Sequence, residues 1–244
     1  MNTVVLLAGG SGFRMQKSVN DKSTALLLDK AVFMYGLEAF LKTGAFEKFI
    51  IVYRDASQKS YMQSCLNQLP KGSIDLNFVE GGLSRFESVR NALSFIRSNS
   101  LVNNNIIAIH DAVRPLIHPK LILKLLELAS DKGSAIPVSK VTNTIMSVVG
   151  TNKNREKCAG IFKQCLDREK LRSVETPQLF KLELLSQCYF KSREENPNSM
   201  TDDASLLMQY GHTPFFIENE MPNPKITTKN DLDYILYLLN QNSL

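Results

Sequence analysis

Three clusters along the chain gather residue types that handle phosphate. The first is a glycine turn, Gly9-Gly10-Ser11-Gly12, followed by Arg14 and then by Lys22. Backbone N–H groups of such a turn can face an anion, and the two side chains add mobile positive charge from the same loop. Two familiar phosphate loops are excluded by residues they lack here. A dinucleotide-binding turn needs a third glycine where Phe13-Arg14-Met15 stand, and a P-loop needs a glycine where Asp21 precedes Lys22-Ser23. Taken alone, the stretch reads equally as a tight turn with two solvated basic residues. The second cluster is "GGLSRFESV", in which Gly81 and Gly82 precede Arg85 and Ser88. The third is "HDAVRP", where Asp111 stands beside Ala112 and Arg114. His110 reads as a packed strand-end histidine rather than a base, and His118 and His212 have no partner in sequence.

These clusters need a frame that brings them together, and the apolar pattern supplies one. "TVVLLAG" (3–9), "KFIIVY" (48–53), "DLNFVE" (75–80), "NIIAIHD" (105–111) and "GSAIPVS" (133–139) are short, rich in Val and Ile, and end in polar or glycine residues, as buried strands do. Between them, 31–44, 57–69, 84–98 and 119–133 carry apolar positions three and four apart, as helices do. Alternating strands and helices imply parallel strands joined by right-handed crossovers, hence an α/β, doubly wound sheet. Ligands of such sheets sit beyond the carboxyl ends of the strands. The glycine turn follows the first strand, "GGLSR" the third and "HDAVRP" the fourth, so all three are expected at one edge.

From about 140 to 176 the pattern loosens. "TIMSVVG" and "GIFKQCL" alternate well enough to pair around a polar, lysine-rich tip, which predicts a projecting β-arm. An exposed ribbon carrying apolar residues commonly meets a partner subunit, so a homodimer is expected. Helices near 181–191 and 201–210, a strand at 213–218 and a last amphipathic helix from 229 complete the reading of one domain spanning residues 1–244.

Composition narrows the function classes. At 244 residues with 43% hydrophobic side chains, the chain can bury a full core. No apolar run reaches the length of a membrane span, and Met1-Asn2 leads straight into the first strand without the basic start of a signal peptide. A cytoplasmic protein without membrane contact is therefore expected. Cys65, Cys158, Cys165 and Cys188 form no closely spaced pair, which argues against a zinc site or disulfide framework. The net charge of +5 suits an anionic small molecule, and no basic stripe with interleaved aromatics marks a nucleic-acid binder.

The clusters stand in one order with others: "LAGGSGFRM" with Lys22, "GGLSRFESVRNAL", "HDAVRPLI", "TPQLF", "TDDASL" and "KITTKNDL". Together they resemble the cytidylyltransferases of sugar-alcohol phosphates, above all the 2-C-methyl-D-erythritol 4-phosphate cytidylyltransferase family. Ribitol-5-phosphate cytidylyltransferases are similar throughout. The resemblance implies a mostly parallel, Rossmann-like sheet of nucleotidyltransferase type. It also implies a reaction: a phosphate monoester oxygen attacks the α-phosphorus of CTP, pyrophosphate leaves, and a CDP-alcohol of the non-mevalonate isoprenoid pathway forms. A nucleotide-binding module without catalysis is the reading from another class, and the retained cationic residues argue against it.

The same resemblance assigns roles residue by residue. Arg14 and Lys22 match the pair that stabilises charge on the triphosphate, with backbone at Ala8, Gly9, Gly10 and Gly12 wrapping the phosphates. Gly81, Gly82, Arg85 and Ser88 match positions around cytosine. Asp111, with Ala112 beside it, is expected to orient substrate hydroxyls or to hold Mg²⁺ or another divalent cation with the triphosphate. Arg168 and Lys225 match the pair that positions the acceptor phosphate. Arg114, Thr144, Thr176 and Thr201 complete the acceptor site, Arg114 alternatively bracing its loop against Pro115. Arm residues of the family reach a neighbouring subunit's site, so Thr144 and Arg168 are expected to act across a dimer. Departures from the family pattern fall at Ser23, which replaces a common glutamine after the lysine, at Leu83, at Pro224 and in "KVTN" before Thr144.

Overall fold

The computed structural model describes residues 1–10, 21–67, 69, 74–99, 105–151, 160–192 and 202–241. In chain order its elements begin with β1 (Thr3–Leu7), a two-rung hairpin of β2 (Leu26–Leu27) and β3 (Lys30–Ala31), α1 (Val32–Leu41), β4 (Lys48–Tyr53) and α2 (Ala56–Leu66). Next come β5 (Asp75–Glu80), α3 (Arg85–Ser98), β6 (Ile106–Asp111), α4 (Pro119–Lys132) and β7 (Ser134–Lys140). The arm follows as β8 (Ile145–Thr151) and β9 (Gly160–Leu166), and the chain ends with β10 (Arg172–Val174), β11 (Gln178–Lys181), α5 (Leu182–Lys191), α6 (Asp203–Gln209), β12 (Phe216–Glu218) and α7 (Lys229–Gln241).

The helices start where the sequence offers caps. Asp55 accepts the Gln58 N–H at the start of α2, and Ser84 with Glu87 forms a capping box on α3. His118 accepts the Lys120 N–H with Pro119 in the first turn of α4, which gives that histidine a structural task. Gly133 ends α4 at φ +90°, a left-handed conformation that favours glycine and turns the chain directly into β7.

One sheet carries these helices. β6, β1, β4 and β5 are neighbours in that order, and they run parallel, as the alternation of strands and helices predicts. β11 is an insertion that the sequence pattern did not reveal. It runs antiparallel between β6 and β7, and β10 continues the same antiparallel pairing along β7. Val138 pairs with both Val174 and Glu218, so β12 closes the other side of β7 in parallel. The sheet is therefore mostly parallel, with residues 178–180 of the "TPQLF" motif in β11, which with β10 makes its antiparallel part.

Both faces of the sheet are buried, and the period of two in each strand divides the core. Val4, Leu6, Phe49, Ile51, Ile106 and Ala108 face α1, α2 and α4, packing on Phe33, Leu37, Phe40, Met62, Ile122 and Leu125. Val5, Ile50, Val52, Ile107 and Ile109 face α3, α5 and α6, packing on Phe86, Leu93, Leu185, Tyr189 and Leu206. A third cluster seats α7 through Ile235 on Leu27, Val32 and Ile226. Among the described residues β8 and β9 pair only with each other, antiparallel with two register shifts, and form the arm that the alternation of "TIMSVVG" and "GIFKQCL" predicts.

Candidate active site

The parallel strands end side by side. Leu7 lies opposite Val52 and Asp111, and Tyr53 lies opposite Glu80, so the segments after β1, β4, β5 and β6 meet at one edge. There they enclose a cleft of about 750 Å³ lined by Ala8–Gly10, Lys22, Ser23, Arg54, Gly82–Arg85, Ser88, Asp111, Val113 and Lys225–Thr227.

The carboxylate of Asp111 is the centre of its charge. Lys225 Nζ lies 2.7 Å from Asp111 Oδ2, and Arg85 Nε lies 3.6 Å from Oδ1. Arg85 reaches further to Asp203, 2.6 Å from its Oδ2, and the Tyr189 hydroxyl donates to the other Asp203 oxygen. Burial alone would raise the Asp111 pKa, but the Arg85 and Lys225 charges outweigh it and hold the carboxyl well below its ordinary value. Burial likewise opposes the Arg85 charge, yet Asp203 and Asp111 raise its pKa above the usual arginine value. Both groups remain ionised at neutral pH.

Behind Asp111, His110 is fully buried. Its Nε2 lies 3.2 Å from the Arg114 carbonyl, which can only accept, so Nε2 carries the proton. Nδ1 then accepts from the Thr176 hydroxyl at 3.1 Å, and Thr176 Oγ1 in turn accepts the Asp111 N–H at 3.1 Å. Burial pushes the His110 pKa down to about 4, with the Asp111 charge opposing and the Arg114 charge assisting. A neutral imidazole locked in this chain fixes the backbone that carries Asp111. Gly36 of α1 makes room for it, because a Cβ there would lie 3.1 Å from His110 Nε2.

Lys22 enters the cleft from the β1–β2 connection and donates to the Thr227 carbonyl. The Thr227 N–H and hydroxyl and the Thr228 N–H all converge on Asp231, 2.6 to 2.7 Å away, which fixes that carbonyl at the start of α7. On the opposite wall, Gly81 N–H donates to the Tyr53 carbonyl at 2.8 Å and Gly82 N–H to Ser88 Oγ at 3.1 Å. A Cβ on Gly82 would lie 2.2 Å from Glu87 Cβ, so the turn closes onto α3 only with glycine. Capping of α3 falls to Ser84, which leaves Ser88 facing the cleft.

The remaining expected site residues divide by position. Ala112 is buried, its N–H donating to the Leu7 carbonyl at 3.1 Å, and Thr176 is buried in the His110 chain rather than exposed to the cleft. Arg114 donates to the Asn223 carbonyl at 2.7 Å, and its Nε, like Asn223 Oδ1, has no hydrogen-bond partner among the described residues. Arg168 and Thr144 sit at the base of the arm and do not line the cleft, with Arg168 donating to the Thr142 carbonyl at 2.7 Å. Gly12, Arg14 and Thr201 lie outside the described residues. Sequence reasoning missed Arg54 and Thr227 in the lining and Asp203 beneath it. Arg54 directly follows a strand's carboxyl end, the one signal that singles it out.

The family model for 2-C-methyl-D-erythritol 4-phosphate cytidylyltransferase (IspD) matches residues 2–241. The chain belongs to this family. As an IspD family member it is a nucleotidyltransferase that joins CTP to 2-C-methyl-D-erythritol 4-phosphate in isoprenoid biosynthesis. Relatives bearing the family's name include the protein of Azobacteroides pseudotrichonymphae, 33% identical over 231 residues that cover 94% of each chain. Another is that of Clostridium novyi, 32% identical over 95% of this chain and 93% of its own. The IspD crystal structure from Francisella tularensis superposes with a TM-score of 0.76 at 26% identity, covering 97% of this chain and 99% of that one. Among the described residues of this IspD family member, no group of three or more His, Cys, Asp and Glu could hold a metal ion. No helix among them is long and apolar enough to cross a membrane.

Proposed function

We propose that the cleft beyond β1, β4, β5 and β6 carries out the cytidylyltransfer, with its residues dividing the substrates between them. The observation that carries this reading is the meeting of Lys22, Arg85, Ser88, Asp111 and Lys225 around one cavity, although they come from four separated parts of the chain. The glycine turn and Lys22, with Arg14, take the triphosphate. Gly81, Gly82, Arg85 and Ser88 take the cytosine. Asp111 and Lys225 lie between these regions and face the reacting phosphates and the acceptor.

In the reaction, an oxygen of the acceptor's phosphate forms a bond to the α-phosphorus of CTP, and the bond from that phosphorus to the β-phosphate oxygen breaks, releasing pyrophosphate. Such a transfer needs alignment and charge neutralisation more than proton transfer. The chain's site fits that demand. Lys22 and Lys225 are directed by a fixed carbonyl and a fixed carboxylate, and His110 is held neutral and buried, away from base chemistry. A divalent ion, Mg²⁺ in our reading, would be held by Asp111 together with triphosphate oxygens and would neutralise charge at the phosphates. A single carboxylate suits an ion whose other ligands come from substrate.

Arg168 and Thr144 belong to the arm, and we assign them to the cleft of a second copy. Support comes from exposed apolar side chains of the arm, among them Ile161 and Phe162, which are 73% and 70% accessible. The enzyme is placed in the cytoplasm on the same reading. Pyrophosphate release from CTP, measured with 2-C-methyl-D-erythritol 4-phosphate and with ribitol 5-phosphate as alternative acceptors, tests the assignment. Turnover with the first is expected, and turnover with ribitol 5-phosphate alone would overturn it.

A further inference from the structure

The helix α2 looks like an ordinary polar surface helix, yet its first turn buries one side chain against the Ala8 carbonyl at the end of β1. Gln58 is 4% exposed and Ser23, beside it, 2%. The hydrogen-bond accounting around this pair closes. Gln58 Nε2 donates to the Ala8 carbonyl at 3.0 Å and to Asp21 Oδ2, while its Oε1 accepts the Arg54 N–H at 2.6 Å. Asp21 Oδ1 accepts both the N–H and the hydroxyl of Ser23, at 3.0 and 2.7 Å, and its Oδ2 faces the Arg54 guanidinium at 3.3 Å. The Ser23 hydroxyl also lies 3.3 Å from the Ala8 carbonyl.

This arrangement acts on two parts of the cleft. In a trans peptide the carbonyl and the following N–H point in opposite directions. Fixing the Ala8 carbonyl downward onto Gln58 turns the Gly9 N–H the other way, toward the cleft that Gly9 and Gly10 line. Position 9 must also lie close against β4, since a Cβ there would sit 3.3 Å from the Tyr53 carbonyl carbon. Meanwhile Asp21 and Ser23, both locked to Gln58, flank Lys22 and set the path along which its side chain leaves the backbone.

We infer that Gln58 is a positioning residue for the triphosphate of CTP, aiming the Gly9 N–H and the Lys22 ammonium at the same anion. The inference rests on the assignment of this cleft to CTP. Gln58 touches no substrate, so its loss should act on phosphate binding and leave base recognition alone.

The test uses the full chain with Gln58→Met, which keeps length and bulk but removes both polar ends, and Ser23→Ala, which removes one donor near the Ala8 carbonyl. Inhibition constants for pyrophosphate and for cytidine are measured against CTP, together with the KM for CTP and the thermal midpoint. Gln58→Met is expected to raise the CTP KM and the pyrophosphate constant about tenfold, the scale of misdirecting buried hydrogen-bond donors, with the cytidine constant unchanged within about twofold. Ser23→Ala should shift the same two constants in the same direction by less. It also supplies the answer if Gln58→Met fails to fold. A merely structural role would lower the midpoint while all three constants moved together or not at all, and that result would overturn the inference. Lys22→Ala serves as the control: if it leaves pyrophosphate binding intact, the assignment of the cleft fails. If it weakens pyrophosphate and the two network variants do not, the inference alone fails.

Discussion

His110 shows how much one buried side chain can fix. Its neighbours on both ring nitrogens are set by the sequence "HDAVR" and by Thr176, and the Asp111 N–H closes the chain of hydrogen bonds. Because burial pushes its pKa down to about 4 from 6.5, the unfolded chain binds a proton there between those values and the folded chain does not. Stability from this residue is therefore complete above about pH 6.5 and is lost as the pH falls toward 4, by at most about 3 kcal/mol. Thermal midpoints measured across that window should fall for the natural chain, and His110→Gln should flatten the slope even if its midpoint is lower throughout. A slope unchanged by the substitution would remove His110 as its source.

At the scale of elements, the cleft depends on α6 holding α3. Asp203, at the start of α6, is fully buried and pairs with Arg85 at the start of α3, which in turn faces Asp111 at the end of β6. The salt bridge thus ties two helix starts to a strand end. Asp203→Asn keeps the shape and removes the charge, leaving Arg85 with Asp111 as its remaining carboxylate partner at 3.6 Å. Removing one member of a buried ion pair commonly costs about 3 kcal/mol or more. A lower urea midpoint and a raised KM for CTP are expected together. A variant with unchanged stability would show that Arg85 is held by other contacts.

For the whole molecule, the dimer proposed above makes the arm part of the site. Residues 145–151 and 160–166 form a ribbon that, among the described residues, pairs with no other strand and exposes Val148, Val149, Ile161 and Phe162. Apolar surface of this kind favours burial against a second copy. Replacing Ile161 and Phe162 together by aspartate should move the molar mass in sedimentation equilibrium from dimer to monomer. Turnover should fall with it, because Arg168 and Thr144 would lose their place at the partner's cleft. A monomeric natural chain with full activity would contradict both steps.

Local pattern determined more of this protein than its function would suggest. The alternation of β-rich runs and helical periods is enough to find five strands of one sheet and the helices between them, because strands buried on both faces need continuous apolar runs and helices need a stripe. The motif order was enough for the family, and the rule that ligands bind at strand ends brought three clusters to one edge. What stayed hidden depends on long-range contacts. β11 is a four-residue strand in a stretch with little pattern, and only its place between β6 and β7 makes it one. Lys22 meets Thr227 across 205 positions, Arg85 meets Asp203 across 118, and Gln58 reaches Asp21 across 37. Sequence spacing carries the periods of helices and strands, which are local. Which glutamine holds the Ala8 carbonyl, and which aspartate anchors an arginine, is decided by packing of the whole sheet, since only there do distant ends converge and water leave.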